Sequence, residues 1–501
     1  MRLTRLSILA TWPSRLLTTL SVRTRLIVLA LVPVIGFVAN GLTYSIGEGD
    51  VGKAFETVRT SQALIDASRD FKIAIAEMRM ASKDFATTPN IDKLASQGTR
   101  FERYYTPAPI CSPSRAGMLT GQHPGKLNLT SYLQTRAGNR DVEQVDFLDA
   151  GAPTMPRTFQ QAGYATAHVG KWHLGGGRDV DNAPKIEEYG YDQSWSTWES
   201  PTPDVPLGVE FAPWDRRTSP GQVLRHKRTD YMVDRTLEFL RKNKGAKPSF
   251  ITLWPDDPHT PHRPGPEMAN KYGASDDEKK TPKKNVLAVL EEFDRSLGRL
   301  FDGLTSMSVD SNTIVIFTAD NGPEPRFGGL RTRGLRGQKL GLYEGGVRVP
   351  FIVRWPGKVK AGAVDKTSVV SGLDMFPTLC ELAGVAMPEG VAKNLDGESM
   401  AGAFKGAPVV RAGTLFWEYG RSPTKVFGFP GVAEHRSPNV GALKDEYKLL
   451  VNDDGTSREV YNVFEDPNET RNLAGDNIKG MDELTSEVLA WRRGLPEVEV
   501  E

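Results

Sequence analysis

The run Thr313-Ile314-Val315-Ile316-Phe317-Thr318 is apolar or β-branched at every position, with no polar face to turn toward water. A strand of that kind belongs inside a sheet covered on both sides, which points to an α/β architecture with parallel strands. It runs directly into Ala319-Asp320-Asn321-Gly322. Open α/β sheets bind their ligands at the carboxyl ends of strands. Asp320 and Asn321 offer two adjacent hard oxygens for Ca²⁺ or, less suitably, Mg²⁺. The same tetrapeptide also suits a plain Asx turn. Tyr164 to Val169 and Ser249 to Trp254 read as further strands. Asn285 to Leu300 reads as a helix, with Val286, Val289, Leu290, Phe293 and Leu297 near helical spacing. The alternation from residue 88 to about 405 predicts an α/β fold with a mixed, mostly parallel central sheet flanked by helices on both faces. Residues 406–501 hold short strands (Gly413 to Tyr419, Asn439 to Val451, Glu459 to Val463) and a helix near Met481 to Arg493. They predict a smaller α+β C-terminal domain.

Two segments carry reactive chemistry. Cys111-Ser112-Pro113-Ser114-Arg115 places a cysteine at the start of a helix, with Pro113 in the first turn, where its missing N–H costs nothing. A helix start offers unpaired N–H groups and a positive dipole end to an anion, and Arg115 adds a fixed cation with paired donors. A structural cysteine at a loop–helix junction is the plainer alternative. Gly170-Lys171-Trp172-His173 follows the strand ending at Val169. In extended chain Lys171 and His173 point the same way, which suits anion binding and proton transfer to a leaving oxygen.

The full string from Cys111 to Gly121, a Cys-x-Pro-Ser-Arg-(x)4-Thr-Gly pattern, closely resembles the first signature of the type I sulfatases of the alkaline phosphatase superfamily. Gly163 to Gly175 resembles the second signature. Ala319 to Gly322, Arg336-Gly337-Gln338-Lys339, Glu344 to Pro350, Pro258-His259-Thr260-Pro261 and the tail Tyr461 to Leu473 follow the family's order, so the resemblance runs from about Thr88 onward. It implies a hydrolase of sulfate monoesters, arylsulfatase type, acting on a small-molecule or glycan sulfate ester. It implies that a maturase oxidises Cys111 to formylglycine, whose hydrate attacks sulfur. It assigns Asp320, Asn321 and residue 111 to calcium, Lys339 to the sulfate oxygens, and Lys171 and His259 to the sulfate or the leaving alcohol. His173 and Arg115 would hold the formylglycine hydroxyls. A phosphonate or phosphate ester hydrolase of the same superfamily is the neighbouring alternative, and an inactive sulfatase-like fusion protein the other.

The N-terminal residues depart from this pattern. Residues 1–25 hold five arginines (Arg2, Arg5, Arg15, Arg23, Arg25) and no acid, a basic cytoplasmic leader. Leu26 to Tyr44 is a nineteen-residue uncharged span, long enough for a transmembrane anchor. The arginine asymmetry predicts a single pass through the inner membrane with the catalytic domain in the periplasm. Residues 45–87 read as an amphipathic helix and linker, and the whole N-terminus resembles the start of a methyl-accepting chemotaxis receptor. The family's first strand normally ends in an Asp-Asp pair that completes the calcium site. Here the acids before Asp92 are Glu48, Asp50, Glu56, Asp66, Asp70, Glu77 and Asp84, no two adjacent. Asp256-Asp257, after another strand, is a substitute pair to be tested.

A formal net charge of +1 gives no electrostatic case for nucleic acid. The two cysteines, Cys111 and Cys380, are too few for a disulfide framework, and Cys380 sits in an apolar helical stretch.

Overall fold

A computed structural model describes residues 86–209, 220–324, 330–421 and 428–497. The leader, the anchor and nearly all of the amphipathic segment expected before residue 88 lie outside the described residues. Among the described residues no helix is long and apolar enough to cross a membrane.

Ala86–Glu501 makes one compact unit. Three parallel strands pair in the order β3-β2-β4: β2 Ala165–Gly170, β3 Gln193–Ser196 and β4 Ser249–Trp254. Four more pair in the order β5-β6-β1-β7: β1 Thr99–Tyr105, β5 Val315–Phe317, β6 Phe351–Arg354 and β7 Ala363–Ser371. Strand β1 is parallel to β7 and antiparallel to β6, which is antiparallel to β5. Strand β5 therefore runs parallel to β1. The single mostly parallel sheet expected from the sequence is thus replaced, among the described residues, by two smaller ones.

The strand around Ile316 is shorter and less covered than its composition predicts. Its three residues are half-buried, and it bonds only to antiparallel β6. Strand β4 is likewise at the end of its sheet and half-buried for most of its length. Both have apolar side chains and, among the described residues, no strand on the outer side.

Helices follow the sequence more closely. They include α1 Pro89–Gln97, α2 Cys111–Thr120, α3 Met155–Gln161, α4 Arg228–Asn243, α5 Pro282–Ser306 and α6 Met375–Ala383. Helix α5 starts three residues before Asn285 and runs past Leu300, its apolar stripe burying Val286, Val289, Phe293 and Leu297. The core under β1 and β6 is aromatic: Tyr104 stacks on Phe351 at 4.2 Å, and Phe101 meets Phe351 and Phe404 at 5.5 and 5.4 Å. Cys380 is buried in this cluster on α6, as expected.

The C-terminal part is an antiparallel sheet in the order β11-β10-β9-β8, backed by α7 Met481–Arg493. Its strands are β8 Leu415–Glu418, β9 Val440–Lys444, β10 Tyr447–Val451 and β11 Glu459–Asn462. The run from Asn439 to Val451, expected as one strand, is a tight hairpin. Asp445 takes φ +54° in its turn, a conformation Asp tolerates better than most residues. One apolar cluster joins Tyr105, Ile110 and Cys111 to Trp417, Leu443 and Leu450, so this sheet shares a core with the strands that precede it.

Candidate active site

The strands deliver the polar groups. After β1 come Cys111 and α2, after β2 Lys171 and His173, after β3 Glu199, after β4 His259, and after β5 Asp320. All five strands present their carboxyl ends. Cys111, Lys171, His173, His259 and Lys339 line a single cavity of about 590 Å³, with Tyr132, Arg178 and Glu324. Arg115 lies one turn behind and ties the two sheets together. Its Nη1 donates to the Lys171 carbonyl at 2.8 Å, and its Nε and Nη2 donate to Asp320 Oδ2 at 2.9 and 2.7 Å. Its guanidinium sits 4.9 Å from the Trp254 ring at the end of β4.

Helix α2 is buried along all ten residues. No side chain caps its N-terminus, where Ile110 is extended. Gly121 closes the other end at φ +66°. Burial would raise the Cys111 thiol. The ammonium groups of Lys171 and Lys339, with a hydrogen bond from His173, overcome burial and the opposing charge of Asp320, and hold the thiol at about 6. The position is therefore built to stabilise negative charge. His259 is held well below its usual range by burial and by Lys171 and Lys339. Its Nδ1 lies 2.9 Å from the Thr260 carbonyl, which fixes Nδ1 as the protonated nitrogen of the neutral ring.

His173 reaches the cavity by a route the sequence did not suggest. Gly170 and His173 have φ of +106° and +57°, so the chain folds back instead of staying extended. Glu199 holds this turn: its carbonyl accepts the His173 N–H at 3.0 Å, and its Oε2 lies 2.7 Å from His173 Nε2. Burial opposes charge on His173, but Glu199 prevails and raises its pKa. The other Glu199 oxygen accepts from Arg178 Nη2 at 2.5 Å. Glu199, Arg178, Tyr132 and Glu324 were missed by motif reading. For Glu199 one signal existed: an acid just past a strand end, as at Asp320.

Asp256 and Asp257 do not join Asp320. Arg228 Nε donates to Asp256 at 2.6 Å, while Arg225 at 2.9 Å and Thr229 at 2.6 Å take Asp257. Asn321 Oδ1 is buried without a hydrogen-bond partner, as a metal ligand would be, and Asp320 keeps Oδ1 outside the Arg115 fork. Two such oxygens are a fragment of the six to eight that calcium takes. Among the described residues no group of three or more His, Cys, Asp or Glu could hold a metal. The described residues therefore do not complete the calcium site the resemblance implies.

The loops bearing Asp320-Asn321 and Lys339 touch backbone to backbone. Gly322 N–H donates to the Gly346 carbonyl at 2.8 Å. A Cβ on Gly322 would lie 2.0 Å from the Gly345 carbonyl oxygen, and one on Gly346 would lie 1.9 Å from that of Gly341.

The sulfatase family profile matches residues 66–385, and the profile for the C-terminal region of N-sulphoglucosamine sulphohydrolase matches residues 337–491. The chain belongs to the sulfatase family. The match begins ahead of Thr88, inside the segment read as receptor-like. The chain is 28% identical over 391 residues to an N-acetylgalactosamine-6-O-sulfatase of Bacteroides thetaiotaomicron, covering 64% of this chain and 72% of that one. It is 30% identical over 338 residues to the N-acetylgalactosamine-6-sulfatase of Canis lupus familiaris, covering 60% of this chain and 58% of the relative. The alignment thus spans little more than half of the mammalian enzyme. A solved structure from work on glycosaminoglycan metabolism by Bacteroides thetaiotaomicron shares the fold, with a TM-score of 0.62 at 22% identity over 81% of this sulfatase-family chain and 94% of that one.

Proposed function

We propose that this sulfatase-family hydrolase cleaves sulfate monoesters of sugars or glycans through residue 111. The observation that supports this most is the cationic field at Cys111, which lowers its thiol to about 6 in a fully buried position. A field that stabilises a thiolate also stabilises a sulfate oxygen or an attacking alkoxide. Oxidised to formylglycine and hydrated, residue 111 would supply the nucleophilic oxygen. Lys339 and Lys171 bind the sulfate oxygens, and Arg115 fixes Asp320 and the Lys171 backbone. His173, charged through Glu199, orients the hydroxyl groups at 111. Lys171 and His259 bind the sulfate or give the leaving alcohol its proton. Tyr132, Arg178 and Glu324 line the rest of the cavity and suit a polar, hydroxyl-rich alcohol. The N-terminal span at residues 26–44 is proposed to anchor the chain in the inner membrane with this cavity on the periplasmic side.

The test is co-expression with a formylglycine-generating enzyme. Peptide mass spectrometry should show the aldehyde at 111, and turnover of a sulfated N-acetylhexosamine or an aryl sulfate should vanish in Cys111→Ala. Unmodified thiol under these conditions, or a variant that keeps its rate, refutes the proposal.

A further inference from the structure

The segment from Arg336 to Glu344 has two sides with different tasks. On one, Lys339 and Leu340 form part of the cavity wall. On the other, Arg336, Gly337, Leu342, Tyr343 and Glu344 are bonded to the C-terminal sheet and its loops. Arg336 donates to the Tyr461 hydroxyl at 2.7 Å and packs 3.8 Å from the Tyr343 ring. Gly337 N–H donates to His435 at 3.2 Å, and Leu342 N–H to Ser437 at 2.8 Å. The Tyr343 hydroxyl donates to Glu459 at 3.0 Å.

The last tie is ionic and wholly enclosed. Lys448, in the middle of β10, is 0% exposed. Its ammonium lies 3.0 Å from Glu344 Oε1 and 3.2 Å from Glu469 Oε1. Glu469 Oε2 accepts the Glu344 N–H at 2.7 Å, at the start of the short helix Glu344–Val347. The other Glu344 oxygen accepts from the Tyr105 hydroxyl at 3.0 Å and from Arg348 at 3.2 Å. Burying two carboxylates and two cations together is expensive, and apolar side chains of similar size would often stabilise the fold as well or better. What such a cluster supplies instead is direction: both Glu344 oxygens and Glu469 Oε2 meet their donors in one position, while Glu469 Oε1 has the ion pair with Lys448.

We infer that Lys448, with Glu344 and Glu469, is a positioning residue for Lys339, so that the C-terminal sheet is part of the sulfate-binding apparatus. This rests on the reading of Lys339 as a sulfate-binding group. The cluster acts through a short lever. Glu344 is five residues from Lys339, and the intervening chain is pinned at Lys339 N–H to the Pro323 carbonyl (2.9 Å) and at Leu340 N–H to the Pro109 carbonyl (3.0 Å). A shift of Glu344 is therefore passed along a loop with little slack. Burial raises the Glu469 carboxyl, Lys448 opposes that shift and the Glu344 carboxylate adds to it, so the cluster is sensitive to loss of its lysine.

A mutant cycle on the matured full-length chain tests this. Affinity for inorganic sulfate by calorimetry, kcat and KM for a sulfate ester, and Tm are measured for wild type, Lys448→Met, Lys339→Ala and the double variant. Lys448→Met should weaken sulfate binding and lower kcat/KM about tenfold, the size of coupling expected inside one network. In the Lys339→Ala background it should change neither by more than about twofold, while lowering Tm equally in both backgrounds. Effects that multiply in the double variant, or a Tm loss with sulfate affinity and KM unchanged, overturn the inference. If Lys448→Met does not fold, Glu469→Gln keeps the shape and the bond to Glu344 N–H. It is expected to give the same non-additive pattern, and additivity there is equally fatal. A wild-type chain that neither binds sulfate nor turns over a sulfate ester removes the reading of Lys339 itself, and the inference falls with it.

Discussion

Glu292 illustrates how a single side chain can set a pH dependence away from the cavity. Burial pushes its carboxyl up to about 7, and Asp257 and Asp230 add to the shift, while the Gly265 N–H at 2.7 Å and Lys227 oppose it. In the unfolded chain the same group titrates near its ordinary value of 4.5. The folded state therefore holds an extra proton between these values, and its stability from this group falls as pH rises from about 4.5 to about 7. Glu292→Gln should flatten that part of the profile, so the gap between wild type and variant in urea unfolding changes across this window and is constant above it. A gap that does not vary with pH would show that Glu292 is ionised throughout. At this scale the sequence was most readable. Cys111, Arg115, Lys171, His173, His259, Lys339 and Asp320 could be singled out because each sits in a short motif beside a glycine, proline or strand end. Glu199 offered one signal, its place just past a strand end, but no spacing rule links it or Arg178 to His173; the folded turn at positive φ brings them there.

Among elements, the helix at Cys111 was legible from the placement of Pro113, and the helix expected from Asn285 to Leu300 from its apolar spacing. The strand at Ile316 was legible as a strand, though its neighbours were not, because pairing partners leave no trace in a local pattern. Its apolar faces predict full coverage, whereas the described sheet leaves it half-buried at an edge. An aromatic cluster lies one strand further in. Phe351 of β6 is fully buried and meets Phe101, Tyr104 and Phe404 within 5.6 Å. Phe351→Ala should therefore cost about 3–5 kcal/mol, the range for deleting a buried aromatic ring. Chemical denaturation should report it as a lower midpoint at unchanged slope. A loss below about 1 kcal/mol would mean that the three neighbouring rings collapse into the space.

For the molecule as a whole, two expectations concern what the described residues leave incomplete. With Asp320 and Asn321 as the calcium oxygens among them, calcium should bind weakly and raise Tm by about a degree or less, since few ligand charges mean low affinity. Micromolar binding by calorimetry on the 501-residue chain would show that further ligands come from elsewhere in it. Full-length chain should also sediment with membranes and resist a high-salt wash. Recovery as a soluble, trimmed protein would identify the apolar span as a cleaved signal. The glycine contact between the Asp320 loop and the Lys339 loop bears on how such a molecule can diversify. Because Gly322 leaves no room for even a methyl group against the Gly345 carbonyl, a side chain there would force the two loops apart, and that contact is closed to gradual adjustment by mutation. New substrates are then reached from the remaining cavity wall, at Tyr132 and Glu324. A library that varies those two positions should yield altered preference, whereas one that varies the glycines should yield only loss.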